Sequence, residues 1–430
     1  MPIRQLAVLA LLLPAVAGAA NAQEGALPST NLRLFLDCSG FFCDQDYYQT
    51  EIDFVDFVRR REDATVHLLI TTQRTGAGGL EYTLAFLGQE ELEGEDLTLR
   101  HVSGATATED ERRSGLAQVM KLGLVGYAAG TPAGQRLQVS YTPPGDEVAD
   151  GEVAGDPWNR WTFRTSLRGF FNGESRISSR SLSGSVSASR TTEVWKTRLS
   201  LSGNDRKSSF EIDSLTTVES TSRSYGLSGL AVRGLNDNWS VGGRASATSS
   251  TFLNQDLALR LAPGVEYSVF PYGESTRRLL TLQYAVGINS FDYEEETIFG
   301  KRAEVLFDQS LVASLDVKQP WGSADVSLEG NQYLHDFSKY RTELSGSLDV
   351  RLWKGLSLDL FGNVAYLRDQ LFLSAGDATD EEILLRQRQL QTDYRYFLSL
   401  GLSYTFGSIF SDVVNPRFGG SGGGGTIFFF

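Results

Sequence analysis

From about residue 158 to 407, apolar and polar residues take turns along the chain. Leu344, Gly346, Leu348, Val350 and Leu352 interleave with Glu343, Ser345, Ser347, Asp349 and Arg351. Leu356, Leu358, Leu360 and Val364 interleave with Ser357, Asp359 and Asn363. Leu398, Leu400, Leu402, Tyr404 and Phe406 interleave with Ser399, Gly401, Ser403 and Thr405. An extended backbone sends successive side chains to opposite faces, so each segment predicts a strand with one greasy and one wet face. Twelve such strands can be placed, starting near Trp158, Ser178, Trp195, Ser224, Trp239, Leu257, Leu279, Ala303, Ser323, Arg341, Leu356 and Tyr394.

Residues 31–130 show a different, mixed pattern. Leu32 to Asp37 predicts a short strand. Asp46 with Gln49 fits a capping box, and Tyr48, Ile52 and Val55 share one face of a helix from Tyr47 to about Glu62. Val66 to Thr72, Tyr82 to Leu87 and Leu97 to Val102 predict strands, with a turn at Gly76-Ala77-Gly78-Gly79. Thr108 with Glu111 caps a second helix running to about Tyr127. The expected unit is a small β-α-β-β-β-α domain, a sheet backed by two helices. Its strand, Gly-rich turn and strand over Ala64 to Leu87 resemble the amino-terminal domain shared by the Tol-system propeller protein and the curli-secretion lipoprotein. That resemblance implies a non-catalytic periplasmic module that contacts another protein. Thr142-Pro143-Pro144-Gly145-Asp146 lies within a linker, 131–157, between the two regimes.

The wet face of the twelve strands decides the fold. A soluble β-sandwich would turn its apolar set to a core. A closed antiparallel transmembrane β-barrel turns it to lipid and leaves no free edge. Strands of about ten alternating residues match a tilted membrane span. Trp195, Trp239, Trp321 and Trp353 stand beside tight turns, as interfacial aromatics do. Short connections (Gly234 to Asn238, Lys318 to Gly322, Trp353 to Gly355) alternate with long polar ones (Asn204 to Ser222, Phe291 to Lys301, Ser374 to Asp393). The fold expected is therefore mainly β: a barrel of about twelve strands over 158–407, behind a periplasmic α/β domain. Tyr404-Thr405-Phe406 resembles the aromatic closing strand of outer-membrane barrels, although a Gly-rich tail, 408–430, follows here. The expected surroundings are outer-membrane lipid, the barrel-assembly and periplasmic chaperone machinery, and a periplasmic protein.

The first 22 residues fit this compartment. Arg4, the apolar run Leu6 to Ala17 and Ala20-Asn21-Ala22 form a secretory signal with cleavage expected after Ala22. Past it, no run of eighteen apolar residues exists, which excludes a helical membrane protein. The net charge of −14 argues against nucleic acid, since phosphate neutralisation needs clustered Lys and Arg. The two cysteines, Cys38 and Cys43, sit six residues apart inclusive in an exported chain, and a disulfide is expected ahead of a metal site.

Candidate chemistry is sparse. His335-Asp336 with Ser338 is the one constellation for a hydrolase at the external face, and the motifs of outer-membrane hydrolases do not accompany it. Gly76 to Gly79 lacks the Lys-Ser/Thr of a phosphate loop. Glu294-Glu295-Glu296 reads as a solvated loop rather than a cation site. No catalytic, cofactor or metal site is expected. The alternation instead sends Arg164, Arg168, Arg198, Arg244 and Arg260 inward from the early strands. From the later strands it sends Asp308, Asp316, Asp325, Glu329, Glu343, Asp349 and Asp359. Facing walls of opposite charge either cross-link the interior or set a transverse field in a water-filled lumen, and twelve strands fall between filled and open barrels. The expected function is a structural, binding or narrow-pore barrel for small polar solutes; the alternative is an outer-membrane hydrolase around His335.

Overall fold

The computed structural model describes residues 32–38, 43–140, 156–211, 217–376 and 390–410. The expected signal, most of the linker and the tail beyond 410 lie outside the described residues.

The first unit runs β1 (Leu32–Asp37), α1 (Gln45–Glu51), β2 (Val55–Phe57), β3 (Val66–Arg74), β4 (Leu80–Gly88), β5 (Leu97–Ser103) and α2 (Glu109–Ala128). Its five-stranded sheet has the order β2-β1-β3-β4-β5. β1 pairs in parallel with β2 and β3, and the β3-β4 and β4-β5 pairs are antiparallel. One face carries Leu34, Leu36, Leu68, Leu84 and Phe86 against Tyr48 and Ile52 of the α1 segment and Leu116, Met120 and Leu124 of α2. Burying each such side chain contributes about 1.5–3 kcal/mol, so this cluster holds the unit together. α2 starts as expected, with the full Thr108–Glu111 capping box.

The expected long first helix is corrected. α1 is capped by Asp44, not Asp46, and stops at Glu51. β2 occupies what was expected to be its last turns. Val55 fits both periods, but Val55 and Phe57 are buried around a half-buried Asp56, which is strand spacing. The unit therefore has one more strand than the order expected from the sequence.

The second unit is a twelve-stranded antiparallel meander in which each strand pairs with its sequence neighbours. Its first four strands are β6 (Trp161–Gly173), β7 (Ile177–Thr191), β8 (Trp195–Glu211) and β9 (Thr217–Gly234). Next come β10 (Trp239–Ser250), β11 (Gln255–Ser268), β12 (Arg278–Tyr293) and β13 (Ala303–Gln319). The last are β14 (Gly322–Tyr333), β15 (Tyr340–Trp353), β16 (Leu356–Leu367) and β17 (Tyr394–Tyr404). The expected long connection from Asn204 to Ser222 is corrected too. Most of it is ladder, Asn204 pairing with Ser224 and Glu211 with Thr217. Polar residues on both faces mark a hairpin tip that has passed beyond the apolar band, and such a tip mimics a loop in sequence.

The connections define two ends. Turns such as Lys354-Gly355 lie at the turn end, with Trp195, Trp239, Trp321 and Trp353; Gly355 holds a left-handed φ of 75° that favours glycine. The loop end carries the longest connection, 368–393, but 269–277 at the turn end equals 294–302 at the loop end in length, so the expected alternation of short and long connections holds only in part. Direct partners run Arg164, Ser187, Ser200, Ser228, Ser246, Arg260, Asn289, Leu306. That path begins near the turn end of β6 and by β13 has climbed past the loop end of β14, whose ladder to β13 starts only at Asp308–Tyr333. Such stagger is what a tilted barrel requires.

Closure itself is not met in this ladder. β6 and β17 each have one hydrogen-bonded neighbour among the described residues. Every other pairing in the sheet joins strands adjacent in sequence, whereas β6 and β17 have no connecting turn to set their register.

Candidate functional site

Directly paired residues share a face, so the registers assign every side chain. One face is apolar and bare. Leu282, Tyr284, Val286 and Ile288 of β12, Val305, Phe307 and Leu311 of β13, and Leu398, Leu400 and Leu402 of β17 are all exposed. The other face is polar. All twelve charged residues singled out by alternation lie on it: Arg164, Arg168, Arg198, Arg244, Arg260, Asp308, Asp316, Asp325, Glu329, Glu343, Asp349 and Asp359. The same registers add Lys196, Arg206, Lys318, Arg341, Arg351 and Arg395, which the selection passed over although the period-two rule covers them.

Seven of these basic residues lie on β6 to β11, whereas the seven acidic ones lie on β13 to β16, with Lys318, Arg341, Arg351 and Arg395 among or beside them. Arg260 and Asp308, 2.9 Å apart, join the two arcs. Asp316 binds Lys318 at 3.0 Å, and Glu343 meets Arg395 at 3.9 Å. Three carboxylate pairs stand directly opposite each other across neighbouring strands: Asp316 with Asp325, Glu329 with Glu343, and Asp349 with Asp359. Like charges in that position destabilise a sheet, so this wall is built against folding stability and needs positive charge nearby. The basic arc holds a hollow of about 640 Å³ on the polar face, lined by Arg168, Asn204, Gln255 and the hydroxyls of Ser166, Ser185, Ser202 and Thr248, among others. This lining offers donors and acceptors to a hydrated polar solute, with apolar surface from Leu167, Leu253 and Tyr225 beside them.

The first unit closes on the turn end. Its two helices cover one face of the β2-β1-β3-β4-β5 sheet, which leaves Phe35, His67, Leu69, Thr71, Thr83 and Ala85 on the other. These are buried nonetheless. Asp37, at the end of β1, takes both guanidinium nitrogens of Arg351 at 2.6 Å and lies 2.9 Å from His67 Nε2. Phe35 lies beneath the same guanidinium, 5.1 Å from its carbon to the ring centre. Burial by itself raises the Asp37 carboxyl, but the Arg351 hydrogen bonds and His67 outweigh it and hold the group below the usual carboxylate range. Arg59 donates to the carbonyls of Phe406 and Gly407 and its amide to that of Ile409, while Val58 bridges to Phe410. Lys318 borders a small cleft with Thr71 and Thr72, and Gly76 abuts Thr191. The contacts thus touch the ends of β7, β13, β15 and β17. Sequence reading missed this joint because its partners are far apart; the buried-type polar residue His67 inside an apolar strand was the available signal.

Among the described residues of the loop end, no catalytic set is linked around His335. His335 packs on Tyr333 at 5.7 Å, whereas Asp336 accepts from the Ser338 amide instead of the imidazole. Glu295 and Glu296 are tied by backbone bonds to Asn254 and Ala375. Among the described residues no group of three or more His, Cys, Asp or Glu is placed to hold a metal ion. Cys38 and Cys43 form a disulfide beside the Asp37 joint.

No protein-family model and no curated sequence matches this chain, so the resemblance of the first unit to the Tol and curli domains is not shown. Two solved structures with which it shares a fold likeness are a NanC porin and the translocator domain of the autotransporter NalP from Neisseria meningitidis. The first is 10% identical, with a TM-score of 0.28, over 56% of this chain and 99% of the porin. The second is 12% identical, with a TM-score of 0.22, over 57% of this chain and 87% of the translocator domain. Likenesses this slight bear on no function, which has to be argued from the chain's own faces and charges.

Proposed function

We propose that the chain is an outer-membrane β-barrel whose polar face encloses a narrow passage or binding lumen for small polar solutes, with the first unit in the periplasm over its turn end. The observation that carries this reading is the bare apolar face of the twelve-stranded sheet opposite a polar, charged one. A water-soluble domain would bury that many Leu, Val, Phe and Ile side chains; hydrocarbon accepts them and demands the tryptophan belt found at the turn end. The role is passage or binding rather than catalysis. Membrane lipid, the barrel-assembly machinery, periplasmic chaperones and a periplasmic protein touched by the first unit are the partners this reading requires.

The full mature chain in planar bilayers tests it. Small, discrete conductance steps are expected, with ion selectivity that falls as salt screens the charged walls. Silence across a wide salt range removes the passage and leaves a structural barrel. A chain that is monomeric in buffer without detergent removes the membrane reading altogether.

A further inference from the structure

We propose that β6 closes on the free edge of β17 in one register, fixed by an ion pair between Arg164 and Asp359 that passes over Gly401. This rests on the barrel reading and adds the seam that the reading needs.

The molecule already contains the device once. On β12, Gly287 stands directly opposite Asp308 of β13. With no side chain at Gly287, the Asp308 carboxylate lies in the space a Cβ would occupy and meets Arg260 of β11 across it. Arg260 does not oppose Gly287 itself; it opposes Asn289, two residues further along β12.

The last strand repeats half of this arrangement. Gly401 of β17 stands directly opposite Asp359 of β16. A Cβ at Gly401 would collide with both carboxylate oxygens of Asp359, so the acid leans across β17 toward its unpaired edge. The missing half is an arginine on the strand beyond, opposite the residue two past the glycine, Ser403. β6 supplies one on its polar face in Arg164, whose direct β7 partner is Ser187.

Putting Arg164 opposite Ser403 fixes every other pair. Phe163 meets Tyr404, Thr165 meets Leu402, Ser166 meets Gly401, Phe170 meets Phe397 and Gly173 meets Tyr394. Apolar-face residues then oppose apolar-face residues throughout, and all of β17 is matched within β6. The two strands run antiparallel, as an even count demands. Ring pairs form on both faces, which favours a cross-strand contact. Closure of this kind also gives Asp359, a member of the opposed acidic pairs, the positive neighbour it lacks among the described residues.

Cysteine pairs in the full chain, reconstituted in lipid vesicles and mildly oxidised, read the register. Directly opposed strand residues lie within disulfide reach, whereas diagonal ones are too far. Thr165→Cys with Leu402→Cys is expected to cross-link within one chain. Thr165→Cys with Leu400→Cys or with Tyr404→Cys is expected to stay reduced, as judged by mass mapping of the linked peptides. Arg164→Asp should lower the Thr165–Leu402 yield several-fold, and adding Asp359→Arg should restore it. Cross-linking through Leu400 or Tyr404 overturns the register while leaving a closed barrel. A bond between two chains replaces closure by a seam between copies. Absence of every cross-link, with the chain folded in vesicles, overturns this seam, whereas a chain that is monomeric in buffer without detergent removes the barrel reading itself. An Arg164→Asp variant that cross-links as well as the parent overturns the ion pair alone.

Discussion

At Gly123 of α2 the Phe86 ring of β4 lies where a Cβ would stand, so the helix sits close to its sheet only because that position has no side chain. Gly123→Ala should therefore destabilise the first unit by about 1–3 kcal/mol, the usual effect of forcing extra carbon into a filled core, even though Ala favours helix. Denaturant unfolding followed on the unit's tyrosines checks this; an unchanged or raised midpoint would mean that Phe86 moves aside freely. Gly401 uses the same chemistry for another end, since the neighbour that fills its gap is a carboxylate instead of a ring. A glycine inside a strand is read from sequence as a weak point or a bulge. What occupies its vacant space depends on strands whose register the glycine does not itself encode.

At the scale of the element, the twelve strands were legible because alternation needs only local chain. Trp195, Trp239, Ala303, Leu356 and Tyr394 each begin a strand where the pattern predicts one. The Thr108 cap and α2 were legible for the same reason. Ambiguity entered where one residue satisfies two periods, as Val55 does, and where a polar hairpin tip imitates a loop, as between Asn204 and Ser222. The assignment of faces has a direct mechanical consequence. Val286 is on the bare apolar face of β12, and its chain neighbour Ala285 is on the polar face. Val286→Arg should cost about 2–4 kcal/mol of stability in vesicles, the range for a cation on the lipid side of a barrel near its midplane. Ala285→Arg should be far milder, since its side chain points to the polar face. Urea titration of the two variants in vesicles distinguishes them, and equally small losses would mean that both faces are wet.

For the whole molecule, the pieces that sequence could not supply are the ones joining distant parts, such as Asp37 with Arg351. Their energetics can still be worked out from the joint. The folded Asp37 carboxyl titrates below its free value, so its contribution is complete above the ordinary carboxylate pKa of about 3.9 and disappears as pH falls through the lower folded value. The first unit should therefore stay docked on the turn end at neutral pH and loosen only in strong acid. Arg351→Ala should loosen it at any pH, because it leaves Asp37 buried beside His67 without its guanidinium; a buried pair broken on one side typically loses about 3–5 kcal/mol, discounted here because Arg351 is a third exposed. If the docked unit obstructs a lumen, bilayer conductance per chain rises in Arg351→Ala at pH 7 and in the parent only below the ordinary carboxylate range. Should Arg351→Ala conduct like the parent while limited proteolysis frees its first unit more readily, the joint holds the two units together but does not stand in the solute's way.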